Sequence, residues 1–129
     1  MPEPVWIEYE AMLALHDRSL AMHGGAEGLR DPGLLESALM RPKNRHHYEG
    51  VDDIPELAAT YASGISSNHP FADGNKRAAF QALTLFLRLN GFRLAADQVE
   101  ATRTMVKLAA GELEVVALAD WIRTNARAA

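Results

Sequence analysis

The stretch NHPFADGNKRAAF, residues 68–80, puts a histidine, a carboxylate, a glycine, an amide and two cations into nine positions and then runs into an apolar segment. A hydrophobic core needs no such set of groups, and an ordinary surface loop rarely supplies it. Pro70 disfavours helical geometry at the residue before it, so a helix arriving from the N-terminal side ends at His69 and presents the imidazole from an extended residue. Phe71 is the apolar anchor that pins the loop to the core. Gly74, Asn75, Lys76 and Arg77 then form the first turn of a new helix. The stretch is a helix–loop–helix junction.

That new helix, over about 74–90, is nearly all apolar. Only Arg77, Gln81, Thr84 and Arg88 interrupt it, at spacings of four, three and four, which makes one narrow polar stripe. Such a helix is expected at the buried centre of a domain, surrounded by the others. Gly91 suits its C-terminal end. The preceding helix, about 54–67, carries apolar residues at 54, 57, 58, 61, 62 and 65, with Ala58, Ala59, Ala62 and Gly64 small enough for a close neighbour. Upstream, a first helix spans about 8–22 and is ended by His23, Gly24 and Gly25. A second opens at Asp31 as N-cap with Pro32 in the first turn, and is expected to stop before Pro42. The polar run KNRHHYEGVDD then forms the longest loop. Two further helices cover about 96–109 and 114–125, the last docked by Leu118, Trp121 and Ile122. Beyond an extended piece at Val5 to Ile7, no strand pattern stands out. The fold class is all-α, a compact six-helix bundle forming one domain over 1–129.

Composition narrows the function. At 129 residues, 48% apolar and 23% charged, the chain has the make-up of a soluble globular domain able to bury its own core. Without cysteine, thiolate metal sites, disulfides and cysteine nucleophiles are excluded. No apolar stretch reaches spanning length and no signal-peptide pattern opens the chain, so a cytoplasmic protein with no membrane association is expected. A net charge of −4 argues against DNA binding by the chain itself. Anion binding has to be local.

The junction supplies it. Free N–H groups at a helix start and the macrodipole favour an anion, Gly74 lets a ligand approach the backbone, and Lys76 and Arg77 add two charges. Asp73 is out of place in an anion site unless a divalent cation sits between it and phosphate groups, as Mg²⁺ does with one or two carboxylates. An imidazole titrates near neutral pH, so His69 suits a general base taking the proton of an attacking hydroxyl. The chemistry is group transfer from a Mg–nucleotide to a hydroxyl. A purely structural reading stands beside it: Asp73 as N-cap, with Lys76 and Arg77 as solvated residues. Cations at a helix N-terminus oppose the dipole, which disfavours that reading.

The motif HPFADGNKR resembles the central motif of the Fic/Doc superfamily, His-x-Phe-x-(Asp/Glu)-Gly-Asn followed by Gly-Arg or Lys-Arg, and looks most like the Doc branch, the death-on-curing toxins of bacterial toxin–antitoxin modules. The segments HGGAEGLRDPGLLESALMRP at 23–42 and LNGFRL at 89–94 share the likeness, so it extends over most of the chain. The resemblance implies a helical Fic/Doc bundle with His69 as base and Asp73 as Mg²⁺ ligand. It makes Gly74 and Asn75 the phosphate-binding turn, with Lys76 and Arg77 on the nucleotide phosphates. AMP-transferring Fic enzymes have the form His-Pro-Phe-x-x-Gly-Asn-Gly-Arg-x-x-Arg; here Lys76 replaces the second glycine and Phe80 the last arginine, which removes a bidentate phosphate clamp. Doc-type toxins share the lysine, and their activity is transfer of the γ-phosphate of ATP to a threonine of elongation factor Tu, which blocks translation. Gly74 is the Fic-like residue, Doc motifs often having alanine there, and it keeps AMP transfer as the alternative. The resemblance also implies an antitoxin partner whose helix or extended segment occupies a groove.

Other residues of the chain suggest other chemistries. His16 and Asp17, with His23, His46, His47 or Asp73, are the pieces of a metal-dependent phosphohydrolase, but His16 falls on an apolar helix face, where a core histidine is the commoner explanation. His46 and His47 read as a solvated pair. The sequence GGAEG at 24–28 lacks the Lys-Ser/Thr of a nucleotide P-loop and reads as a turn. Trp6 and Trp121 read as packing residues. Lys43 to Gly50 is a candidate flap over an acceptor protein. A binding protein without catalysis is expected to lack His69 or Asp73, and both are present.

Overall fold

The computed structural model describes residues 3–129; the first two residues of the expected 1–129 domain lie outside the described residues. In chain order the elements are α1 (Tyr9–His23), α2 (Pro32–Glu49), α3 (Ile54–Asn68), α4 (Asn75–Leu89), β1 (Phe92–Leu94), α5 (Gln98–Ala109), α6 (Val115–Asn125) and β2 (Ala126–Ala128). The all-α, six-helix reading holds. Three helices begin in the same way: Asp31, Asp53 and Asp97 accept a hydrogen bond from the backbone N–H three residues on, opening α2, α3 and α5.

α3 is the most enclosed helix, with residues 57–62 and 64–66 all buried, and it packs against α2, α4, α5 and α6. Its small residues permit the close approach expected of them: a Cβ on Gly64 would stand 3.4 Å from Ala38 of α2. α4 lies alongside and buries Ala78, Ala79, Ala82, Leu83, Phe86 and Leu87. Each fully buried Leu or Phe contributes about 1.5–3 kcal/mol, so this seam holds the two helices together. The expected enclosure of α4 on all sides is incomplete, because its polar stripe faces an open groove. The centre of the bundle is shared by α3 and α4.

α2 departs from expectation by running through Pro42 to Glu49, so the loop and flap expected from Lys43 are helix as far as Glu49, and only residues 50–53 remain loop. A proline inside a helix costs about 3 kcal/mol. Tertiary contacts offset it. Leu39 and Pro42 are buried, and Arg45 Nη1 donates to Thr60 Oγ1 of α3 at 2.8 Å while pairing with Glu56 at 3.7 Å. Gly50, in the left-handed region, closes the helix with its N–H on the Arg45 carbonyl.

The short sheet was not expected either. β1 and β2 pair antiparallel, Phe92 opposite Ala128 and Leu94 opposite Ala126, in strands too short to show an alternating pattern. The extended piece at Val5 to Ile7 forms no strand; side chains hold it instead. Asn90 accepts from the Val5 N–H and donates to the Val5 carbonyl, at 2.8 and 3.0 Å. The Ile7 N–H donates to the hydroxyl of buried Tyr61, whose pKa burial pushes up to about 12. Among the described residues no helix is long and apolar enough to cross a membrane.

Candidate active site

The loop between α3 and α4 is tied along its backbone to the loop between α1 and α2. The Pro70 carbonyl accepts from the N–H groups of Arg30 and Asp31, at 2.8 and 3.1 Å, and the Ala72 N–H donates to Gly28 at 3.1 Å. Leu29 and Phe71 form an isolated antiparallel bridge. Arg30 adds its side chain, donating to the carbonyls of His69 at 2.7 Å and Asn68 at 2.9 Å. From the other side Asn75 clamps the Phe71 peptide, accepting from its N–H and donating to its carbonyl, both at 3.0 Å. Phe71 is buried, the anchor its position implied.

His69 caps α3, with its own N–H on Ile65, and is not extended. Its φ of 49° and ψ of 57° place it in the left-handed region, the one such residue besides glycines among the described residues. The helix-closing bond and the Arg30 grip on its carbonyl hold it there at a cost of about 1–3 kcal/mol. The imidazole is exposed, with Nδ1 3.4 Å from Asn75 Nδ2.

Asp73 is not the N-cap of α4. Gly74 occupies that position in left-handed geometry, and among the described residues no side chain caps the helix. The Asp73 carboxylate turns to other donors: Oδ1 accepts from the Gly74 N–H at 2.8 Å and Oδ2 from the Ala26 N–H at 3.2 Å. These two bonds, with smaller help from Arg77 and His16, lower its pKa, so the carboxyl is ionised at neutral pH. Each oxygen keeps a further lone pair facing out from an exposed side chain, a donor set suited to a hard cation that also takes phosphate oxygens.

Asn75, Lys76 and Arg77 thus begin an uncapped helix whose first N–H groups are free for an anion. Arg77 Nη2 donates to the Gly24 carbonyl at 3.1 Å, and Lys76 is exposed. Both border a groove of about 720 Å³ that continues along the polar stripe of α4, Gln81, Thr84 and Arg88, towards α5. Phe80 lines the groove rather than the anion site.

Beneath the loop lies His16. It is buried, as its apolar face implied, and its ring stacks on Phe71 with centroids 3.7 Å apart. Burial lowers its pKa, partly countered by Asp17. The ligand set of a phosphohydrolase does not assemble around it: among the described residues His16 joins no group of three metal-ligating side chains.

The structure therefore brings His69, Asp73, Gly74, Asn75, Lys76 and Arg77 together on one short loop and helix start. Sequence reasoning missed the opposite wall. Arg30 and the Gly24–Ala26 backbone are part of this site, and the glycine-rich turn is shaped for it: a Cβ on Gly25, at φ 126°, would stand 2.9 Å from Asp73 Oδ2. The positive φ leaves no mark in the sequence beyond glycine itself.

Comparison with known proteins agrees with this arrangement. The family model described as Fic/DOC family matches residues 6–87. The chain is 38% identical over 117 residues to "Protein kinase doc" of Escherichia phage P1, covering 91% of this chain and 92% of that protein. It is 44% identical over 77 residues to "Toxin Doc" of Mycolicibacterium smegmatis (strain ATCC 700084 / mc(2)155), covering 57% of this chain and 58% of the relative. With motif, loop geometry and overall similarity in agreement, the chain belongs to the Fic/Doc family.

Proposed function

We propose that this protein is the toxin of a bacterial type II toxin–antitoxin module and acts as a protein kinase, moving the γ-phosphate of ATP to a hydroxyl of a translation protein, with a threonine of elongation factor Tu as the leading candidate. The observation that carries the reading is the uncapped start of α4: Asp73 leaves the N-cap position to Gly74 and keeps an ionised carboxylate beside free N–H groups, Lys76 and Arg77. Names borne by two relatives, a protein kinase and a toxin, point the same way.

In this reading Lys76, Arg77 and the first-turn N–H groups hold the terminal phosphates, and Asn75 keeps the loop in shape. Asp73 would hold Mg²⁺, which when bound neutralises phosphate charge. The acceptor oxygen attacks the γ-phosphorus, the bond to the β–γ bridging oxygen breaks, and ADP leaves with that electron pair. His69 takes the hydroxyl proton. Phosphoryl transfer asks chiefly for positioning and charge neutralisation, so a short loop on a helix start is sufficient.

The groove along α4 suits the antitoxin. Lys76, Arg77 and Arg88 line it and, among the described residues, no carboxylate does, so an acidic helical or extended segment is the complementary partner. Such a module acts in the cytoplasm.

The test is a transfer assay with purified protein, Mg²⁺, elongation factor Tu and ATP labelled at the α or the γ position, with His69→Ala as control. Label from the γ position alone, absent in the variant, is expected. Label from the α position would establish AMP transfer instead, the alternative that Gly74 shares with Fic enzymes.

A further inference from the structure

Three ligating side chains from two separate segments converge at the C-terminal end of α2. Glu3 belongs to the N-terminal segment, and His46 and His47 to the last turn of the helix. One ligand atom from each lies within 4.8 Å of the other two, with Glu3 Oε1 3.8 Å from His47 Nε2. Consecutive residues on a helix point roughly 100° apart and seldom meet. Here the imidazole centroids are 5.1 Å apart, and Trp6 lies against both rings.

Their outer partners are in place as well. His46 Nδ1 stands 2.9 Å from the Val51 carbonyl and 3.1 Å from Asp52 Oδ1. Two acceptors there put the hydrogen on Nδ1 and leave Nε2 bare, the tautomer that metal-binding histidines adopt when carbonyl and carboxylate groups orient them. Trp6 Nε1 donates to Glu3 Oε2 at 2.7 Å, which leaves Oε1, the oxygen facing His47, for a ligand.

We propose that Glu3, His46 and His47 bind a divalent transition-metal ion of the zinc type, which fastens the N-terminal segment to the end of α2. Two imidazoles and one carboxylate suit zinc, nickel or copper, whereas magnesium and calcium prefer oxygen alone. Tetrahedral zinc with bonds of about 2.0–2.1 Å places its ligand atoms roughly 3.3 Å apart. Glu3 and His47 are exposed enough to close that distance by small rotations, and a water completes the shell. Trp6 stacks on buried Phe86, with centroids 5.8 Å apart, so the ion holds the segment against α4. The bare alternative is an exposed Glu–His ion pair, worth little by itself.

The experiment is titration of zinc chloride into tag-free, chelator-treated full-length protein at pH 7.5, followed by calorimetry and by Trp6 fluorescence in a Trp121→Phe background. One ion per chain is expected, with Trp6 emission changing at the same stoichiometry. Glu3→Gln and His47→Ala should each weaken binding at least about tenfold. Asp73→Ala should bind zinc as the unaltered protein does, which separates this site from the nucleotide site. No binding, equal binding in the Glu3 and His47 variants, or a loss confined to Asp73→Ala would overturn the proposal.

Discussion

His16 lies almost flat on Phe71, ring centroids 3.7 Å apart and planes 21° from parallel, so the anchor of the loop between α3 and α4 rests on a buried imidazole. Among the described residues neither ring nitrogen of His16 has a hydrogen-bond partner. Burial disfavours its cation and Arg77 adds to this, while Asp17 and Asp73 act in the opposite sense; the net shift is downward. The unfolded chain therefore takes up this proton at higher pH than the folded one. Stability from neutral His16 is full above about pH 6.5 and is lost as pH falls towards the lower folded value, at up to about 1.4 kcal/mol per pH unit. Urea denaturation at several pH values between 8 and 5 should show this slope. His16→Phe keeps an aromatic ring on Phe71 and should lose one proton's share of it; an unchanged slope would remove His16 as the cause.

The second half of α2 depends on Arg45. Its guanidinium reaches Thr60 across the helix pair, a part-buried hydrogen bond from a charged donor, and pairs with Glu56. Arg45→Ala should cost about 1.5–3 kcal/mol in urea denaturation. Glu49→Ala removes only the exposed pair one turn on and should cost under about 0.5 kcal/mol. Equal losses would mean that the helix beyond Pro42 is held by something other than the Thr60 contact.

These two residues also mark what a sequence makes legible. Asp31 with Pro32 announces a helix start through local chemistry, and the spacing of apolar residues announces α3 and α4. The candidate motif sits in consecutive positions, so its residues are bound to be neighbours. Pro42 misleads because local propensity argues for a stop while the contacts that overrule it, Arg45 to Thr60 and Ala38 to Gly64, join distant parts of the chain. The same holds at the site. Arg30 and Ala26 reach the motif over 39 and 47 residues, a separation that no spacing rule covers. His69 shows a finer limit: Pro70 correctly ends the helix, but the left-handed cap follows from the Ile65 and Arg30 bonds.

That left-handed geometry separates stability from activity at His69. Relief of about 1–2 kcal/mol of backbone strain, set against about 0.4–1 kcal/mol of added chain entropy, predicts that His69→Gly is more stable by zero to about 1.6 kcal/mol. Under the proposed mechanism the same variant should be inactive, as should His69→Ala. Paired urea denaturation and γ-phosphate transfer assays check both. A glycine variant that is active would exclude the imidazole as the base, and one that is clearly less stable would mean that the side chain supports the loop.

The opposite wall of the candidate site can be tested through Gly25, which lies against the Asp73 carboxylate. The Gly25 and Gly28 backbones both have positive φ, at 126° and 106°, so alanine at either position strains the turn by about 1–3 kcal/mol. Only at position 25 does the new Cβ meet the Asp73 carboxylate, at 2.9 Å, while at position 28 nothing lies within 4 Å. Under the proposed mechanism, Gly25→Ala should therefore displace Asp73 and weaken Mg–ATP binding in titration calorimetry about tenfold, approaching Asp73→Ala. Gly28→Ala carries only the strain of its positive φ and should bind nearly as the unaltered protein does. Because the Ala26 and Gly74 N–H groups hold the Asp73 pKa down, acidification from pH 7.5 to 6 should leave this carboxylate ionised, and the contrast between the two variants should persist across that range. If both glycine variants bind Mg–ATP equally, the turn serves only as backbone support and Asp73 does not depend on it.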